Sequence, residues 1–173
     1  MQDNKTEYLV KKAKNREPDA FSQLMLLYKK DMYRVALAIL MNDEDTADAI
    51  QDTILTCWEK IHSLRQTEYF KTWMTRILIN KCYDIRKKRV STISLDEYEE
   101  PAQEDNYNLE LKEALSTLNE KYRIVLTLFY SEGYHIDEIA KILKIPKSTV
   151  QTRLQRGRET LAKDYYKENG RRK

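Results

Sequence analysis

Apolar residues recur every three or four positions through most of the chain. The first set is Phe21, Leu24, Tyr28, Met32, Val35 and Ile39; the second is Ile50, Ile54, Cys57, Trp58 and Ile61; the third is Phe70, Trp73, Met74, Ile77, Leu78, Cys82 and Ile85. That spacing places each set along one face of an α-helix. It predicts one or two helices over 19–41, with a break near Lys30-Asp31 left open, a helix over 45–61, a loop over 62–69 and a helix over 70–89. Between 91 and 107 the period lapses. It returns at Leu111, Leu115, Leu118, Tyr122, Val125, Leu126 and Phe129, and Gly133 then interrupts it ahead of two closely spaced helical patterns divided by Pro146. A proline suits the first turn of a helix, where its missing N–H would be unpaired anyway and its fixed φ presets the entry. A short helix, a tight break and a second helix make a helix-turn-helix.

On that second helix Val150, Leu154, Gly157 and Leu161 form the stripe expected to face a core. At about 100° per residue, Ser148, Thr152, Gln155 and Glu159 then point away from it, flanked by Gln151 and Arg156. Amides, hydroxyls and guanidinium groups match the donors and acceptors of a DNA major groove, which is wide enough to admit a helix. No acid lies between Glu138 and Glu159, whereas Lys141, Lys144, Lys147, Arg153, Arg156 and Arg158 supply six positive charges suited to phosphates. An ordinary solvated helix face is the bland alternative, and the exclusion of acids argues against it.

Composition narrows the fold. A chain of 173 residues with three glycines and three prolines has little room for turn-rich β architecture, so an all-α protein of one or two domains is expected. The net charge of +3 conceals strong local asymmetry. Acids crowd 43–59 and 96–110, and bases crowd 76–89 and 141–158, which implies partners of both signs. The outer face of the 45–61 helix carries Asp45, Asp48, Gln51 and Asp52. First-turn acids also suit the helix dipole, but Asp52 lies beyond that turn. The 70–89 helix exposes Arg76, Asn80, Asp84 and Lys87 beside Lys81 and Lys88, and ends in Arg86-Lys87-Lys88-Arg89. The 91–108 stretch holds no base and several acids, which marks an extended tether able to span about 60 Å.

Cys57 and Cys82 occupy positions where a small apolar side chain is useful, and no disulfide is expected. There is no apolar run of membrane-spanning length and no apolar segment after the charged opening, so a cytoplasmic protein without membrane insertion is expected. His62 and His135 lie in different halves; Cys57 and His62 together make two ligands at most, so no metal site, cofactor or enzymatic activity is expected.

The marks Asp45-Thr46-Ala47-Asp48-Ala49-Ile50-Gln51-Asp52, Trp58-Glu59-Lys60, Thr72-Trp73-Met74-Thr75-Arg76-Ile77-Leu78-Ile79-Asn80 and Asp84-Ile85-Arg86-Lys87 lie in the first half. Leu115-Ser116-Thr117-Leu118, Arg123, Glu132-Gly133-Tyr134, Glu138-Ile139-Ala140 and 146–158 lie in the second. In this order and spacing they resemble the two-domain bacterial RNA polymerase sigma factors of the extracytoplasmic-function group, from about Asp19 to about Tyr165. The resemblance implies a flexible N terminus over 1–18, a region 2 helical bundle over 19–90, an acidic linker over 91–107, a region 4 helix-turn-helix domain over 108–167 and a flexible end over 168–173. It implies core-polymerase contact through Asp45, Asp48, Gln51 and Asp52, on the β′ clamp helices, with the β flap as a further polymerase partner. It implies -10 element binding by the 62–69 loop with Trp73, Arg76, Asn80, Lys81, Asp84, Arg86 and Lys87, including capture of a flipped base. It implies -35 duplex binding by Lys147, Ser148, Thr149, Gln151, Thr152, Arg153, Gln155 and Arg156. An anti-sigma factor, often tied to the membrane, and a role in stress-responsive transcription initiation are implied by the family alone.

Several positions depart from the family pattern. Leu118-Asn119 stands for Leu-Pro, His135 for a Ser or Thr cap, Ser148-Thr149 for Gly-Thr and Arg156-Gly157-Arg158 for Arg-Ala-Arg. The third change alters groove-facing chemistry, and Gly157 on the core stripe allows closer packing. The competing class is a free-standing operator-binding regulator whose first domain dimerises or binds a ligand.

Overall fold

The computed structural model describes residues 2–92, 112–113 and 115–170; of the acidic linker expected over 91–107, Ser91 and Thr92 belong to the preceding helix and the rest lies outside them. The described residues are helical, without a strand. They form α1 (Gln2–Lys14), α2 (Pro18–Leu40), α3 (Asp43–Lys60), α4 (Phe70–Thr92), α5 (Glu120–Leu126), α6 (Ile136–Leu143) and α7 (Lys147–Gly170). Short 3-10 turns at Ile61–Ser63 and Thr67–Tyr69 join α3 to α4, and a π-turn at Thr127–Ser131 extends α5.

Helix α2 is the axis of the first module and packs on α1, α3 and α4. Its apolar set meets Val10 of α1, Cys57 of α3, and Phe70, Met74 and Leu78 of α4 in one buried cluster. Each fully buried Phe, Leu or Met contributes about 1.5–3 kcal/mol. The helix ends follow local chemistry. Pro18 opens α2; Met41, at φ 51°, closes it by donating its N–H to Leu37 O, and the Asn42 side chain then accepts from Asp45 N to start α3. Helix α2 runs unbroken through Lys30-Asp31: Asp31 pairs with Arg34 one turn on, at 2.6 Å, while Met32 is buried between them.

In the second module α5 and α6 pack on α7. Asn119, standing for the family's proline, caps α5 by accepting Lys121 N. His135 begins α6 with its N–H donated to a Glu138 carboxylate oxygen at 2.8 Å, so this cap comes from the third residue of the helix. The sharp turn is made by Lys144 in the left-handed region, φ 55°, with Ile145 N returning to Ala140 O; Pro146 supplies the carbonyl that accepts the first bonds of α7. Val150, Leu154 and Gly157 are buried as expected, but Leu161 is 38% exposed because α7 outruns the helices it packs on. A Cβ at Gly157 would lie 2.7 Å from Leu126 Cδ1 and 3.3 Å from Tyr122 Cβ, so the absent side chain sets the approach of α7 to α5.

The N-terminal segment is not the frayed end expected over 1–18. Tyr8 is exposed, but Leu9, Val10 and Ala13 are buried against α2, and the one-turn spacing of Leu9 and Ala13 is a signal the sequence did carry.

The two modules are closed on each other. Arg123 donates to Ala38 O at 2.6 Å, the Thr75 and Tyr134 hydroxyls meet at 2.9 Å, Arg34 reaches Glu132 at 2.9 Å, and Lys71 donates to Glu132 O at 2.9 Å. Arg86 pairs with Glu120, and Lys112 with Asp43. The Glu132 side chain is 1% exposed. Burial and the nearby Asp31 carboxylate push its carboxyl above the usual range, against the pull of Arg34 and Lys71. These bonds are polar, and water can replace them when the surfaces part.

Candidate polymerase and nucleic-acid interfaces

Three surfaces carry the residues singled out from the sequence. The first is the outer face of α3. Asp48, Gln51 and Asp52 are exposed there, beside Ile85, Lys88 and Arg89 at the end of α4. Asp45 does not join them: it is 8% exposed and bonded to Arg89 at 2.8 Å, because the α3 start is covered by the C-terminal part of α4. Leu55, absent from the periodic apolar set, stands 63% exposed one turn beyond Gln51 and Asp52.

The second surface is a cavity of about 380 Å³ where the 3-10 turns meet the start of α4. Trp73 and Arg76 line it, together with Arg65, Gln66 and Tyr69 of the 62–69 loop and with Thr72, which was not among the residues expected there. An indole, a phenol and two guanidinium groups around an open hollow suit a base stacked on an aromatic face with phosphate beside it. Tyr69 is 54% exposed and Trp73 half-buried against Phe70, at 5.8 Å between ring centroids. Further along α4, Asn80, Asp84 and Lys87 are exposed and Lys81 is half-buried. Arg86 is turned to Glu120 of the second module and stacks on Tyr83 at 4.9 Å, so in the closed arrangement it is engaged within the chain. Glu138 and Lys141 of α6 form the far rim of the same cavity.

The third surface is the outer face of α7. Lys147, Ser148, Gln151, Thr152, Gln155 and Arg156 are exposed, and Thr149 and Arg153 half-buried. Gln155 donates to Glu159 at 3.1 Å, and Lys147 is bound to Asp137 across the turn at 2.7 Å. Beside this face lies a basic groove of about 260 Å³ floored by Lys121 and Tyr122 of α5 with Thr152, Arg153 and Arg156 of α7. A hydrogen bond from Arg156 holds the Tyr122 phenol below its usual range. Lys121 and Tyr122 precede the helix-turn-helix in sequence, which is why the α7 pattern alone did not reveal them.

Cys57 and Cys82 are buried, unpaired thiols, each pushed up to about 12 by burial. No cluster of three or more His, Cys, Asp or Glu suited to a metal occurs among the described residues.

A helical module with a basic, aromatic-lined hollow, followed by a helix-turn-helix, defines a two-module DNA-binding protein of the sigma type. The family model Sigma-70 region 2 matches residues 24–92, and Sigma-70, region 4 matches 108–161. ECF RNA polymerase sigma factor SigW of Bacillus subtilis is 31% identical over 174 residues, spanning 89% of this chain and 93% of the relative. SigV of the same organism is 31% identical over 134 residues, covering 75% and 81%. Among solved structures, CnrH in complex with the cytosolic domain of CnrY superposes with a TM-score of 0.68 at 22% identity, over 91% of this chain and 95% of that one. RpoE in complex with the anti-sigma factor NepR from Bartonella quintana gives 0.68 at 26%, over 83% and 94%.

The chain belongs to the extracytoplasmic-function RNA polymerase sigma factors. As such it binds core polymerase and directs promoter recognition and transcription initiation.

Proposed function

We propose that the three surfaces divide the work of initiation. The exposed acids Asp48 and Asp52, with Gln51, meet a basic surface of core polymerase at the β′ clamp helices, and Leu55 supplies an apolar anchor among them. Complementary charge there sets orientation and encounter rate more than affinity. The hollow lined by Tyr69, Trp73 and Arg76 takes a base flipped from the -10 element, with Asn80, Lys81, Asp84 and Lys87 along the strand and Arg86 available once released from Glu120. Flipping costs a few kcal/mol, which stacking and phosphate contacts must offset. Ser148, Thr149, Gln151, Thr152 and Gln155 read the -35 duplex while Lys147, Arg153 and Arg156 hold phosphates. The β flap is the second module's polymerase partner. The cavity at the start of α4 is the observation that carries this reading, since it joins aromatic faces and cations at one opening.

The closed arrangement has to open. Its far rim, Glu138 and Lys141, stands over the -10 hollow, so the two modules must separate, on the 91–107 tether, before each reaches its own element. An anti-sigma factor that binds the closed form would hold the surfaces apart from DNA; the related RpoE is bound to such a partner, the anti-sigma factor NepR. Action on RNA polymerase supports a cytoplasmic location; among the described residues no helix is long and apolar enough to cross a membrane.

Reconstituted transcription tests the reading. Added to core polymerase, the chain is expected to produce initiation at defined start sites. Specific occupancy of duplex DNA by the chain alone, with no start site on adding core enzyme, would favour a free-standing regulator.

A further inference from the structure

Helix α1 ends on the loop that walls the -10 hollow, and it does so through two cations bonded to backbone carbonyls. Lys14 Nζ donates to Leu64 O at 2.6 Å. Arg16 donates to Trp58 O at 2.7 Å and to Glu59 O at 3.4 Å, lies 3.4 Å from His62 Nδ1, and stacks over the Trp58 ring at 5.2 Å. Arg16 is held at φ 64°, a conformation uncommon for a residue with a side chain and one that stores strain. The carbonyls it engages belong to the last turn of α3, where helical backbone donors run out and a cation is favoured.

Resting on the -10 assignment above, we propose that α1 is a strut for the single-strand loop, with Lys14 and Arg16 as positioning residues for base capture. The peptide joining Leu64 to Arg65 is planar and trans, so anchoring the Leu64 carbonyl to Lys14 aims the Arg65 N–H away from α1. Leu64, Arg65 and Gln66 line the hollow directly. Arg16 fixes the other end of the same loop, where it leaves α3. Neither cation touches the base; both set where the loop stands when it arrives.

Anchorage of α1 itself comes from Leu9, Val10 and Ala13, which are buried independently of these bonds. That separation permits a clean test. Arg16→Gly relieves the positive φ while deleting the guanidinium, so a loss of function without a loss of thermal midpoint separates a positioning role from mere support of the fold. Lys14→Met removes the anchor but keeps the aliphatic stem, and Lys14→Arg restores a donor.

Full-length variants, reconstituted with core polymerase, would be titrated with single-stranded non-template DNA carrying the -10 element of a promoter recovered from a randomised library by the wild-type holoenzyme. Arg16→Gly and Lys14→Met are expected to weaken this DNA roughly tenfold, about the worth of one charge-assisted hydrogen bond. Discrimination among bases at the captured position is expected to flatten, core affinity and thermal midpoint to stay at least as high, and Lys14→Arg to recover most of the loss. Wild-type DNA affinity and base preference in both Arg16→Gly and Lys14→Met would overturn the strut, as would a loss matched by lost core affinity. Trp73→Ala separates the two levels. If Trp73→Ala weakens the DNA and the α1 variants do not, the strut alone fails; if Trp73→Ala also has no effect, the -10 assignment fails with it.

Discussion

Replacing Arg34 with methionine should open the molecule, and the size of the effect follows from where Glu132 sits. Its carboxylate is 1% exposed and meets Arg34 Nε at 2.9 Å, while Lys71 Nζ lies 3.6 Å from the other oxygen. Removing one partner of a buried pair typically costs 3–5 kcal/mol because the remaining charge is left uncompensated. The Arg34 side chain is 29% exposed and Lys71 stays, so the low end, about 3 kcal/mol, is appropriate. Glu132 can escape that cost by rehydrating, which requires only that the modules part. The closed-to-open ratio should therefore fall roughly a hundredfold, at about 1.4 kcal/mol per decade. Adding Glu132→Gln should restore closure, since a neutral amide needs no cation.

Fluorescence energy transfer between dyes on cysteines introduced at exposed Ser22 and Glu159 would read the separation, the native thiols being buried and held protonated. The pH dependence has a definite sign. Burial raises the Glu132 pKa in the closed state, so closing takes up a proton; closure is favoured at low pH and weakens as pH rises through that raised value. Glu132→Gln should abolish this dependence. An Arg34→Met protein with unchanged dye separation, and a melting point lowered equally with and without Glu132→Gln, would refute the latch.

Gly157→Ala trades a gain of about 1 kcal/mol in helix propensity against overpacking on Leu126, which costs about 1–3 kcal/mol. The net should be a small loss of stability that Leu126→Ala partly relieves, visible as a coupling in a double-mutant cycle of thermal melts; a full gain without coupling would contradict the contact. Asp48→Lys with Asp52→Lys should weaken holoenzyme formation several-fold at unchanged helix content, an effect that fades with salt, whereas Asp45→Asn should act on the α3–α4 junction, lowering the melting point more than core affinity. Arg153→Ala should reduce occupancy of all promoters alike and reduce the salt slope, while Gln155→Ala should shift preference among -35 variants by about 1–3 kcal/mol; identical effects of both on every variant would defeat the split between positioning and reading.

Much of this was legible along the chain because helices are local objects. A period of three to four residues located α2, α3, α4 and α7, and the exclusion of acids from 139–158 marked the DNA-facing helix. Gly157 stood out as a small residue on an apolar stripe, and it does lie against Leu126 and Tyr122. The left-handed turn at Lys144 was not legible: a lysine gives no sign of positive φ, and Pro146 drew attention two residues downstream.

What the sequence alone determined is which side-chain chemistries share a face: acids on α3, bases on α4, and amides, hydroxyls and guanidinium groups on α7, each set by residues a few positions apart on one helix. Tertiary structure alone decided which members of those faces are free and which are spoken for. Asp45 turns to Arg89, Arg86 to Glu120, and Arg34 to Glu132 across 98 positions of chain. Such pairings depend on how helices dock, and docking is set by the summed shape of two apolar faces, a quantity no local pattern encodes. The N-terminal helix belongs to the same class: its charges look like solvated surface until packing brings Lys14 within 2.6 Å of a carbonyl fifty residues away.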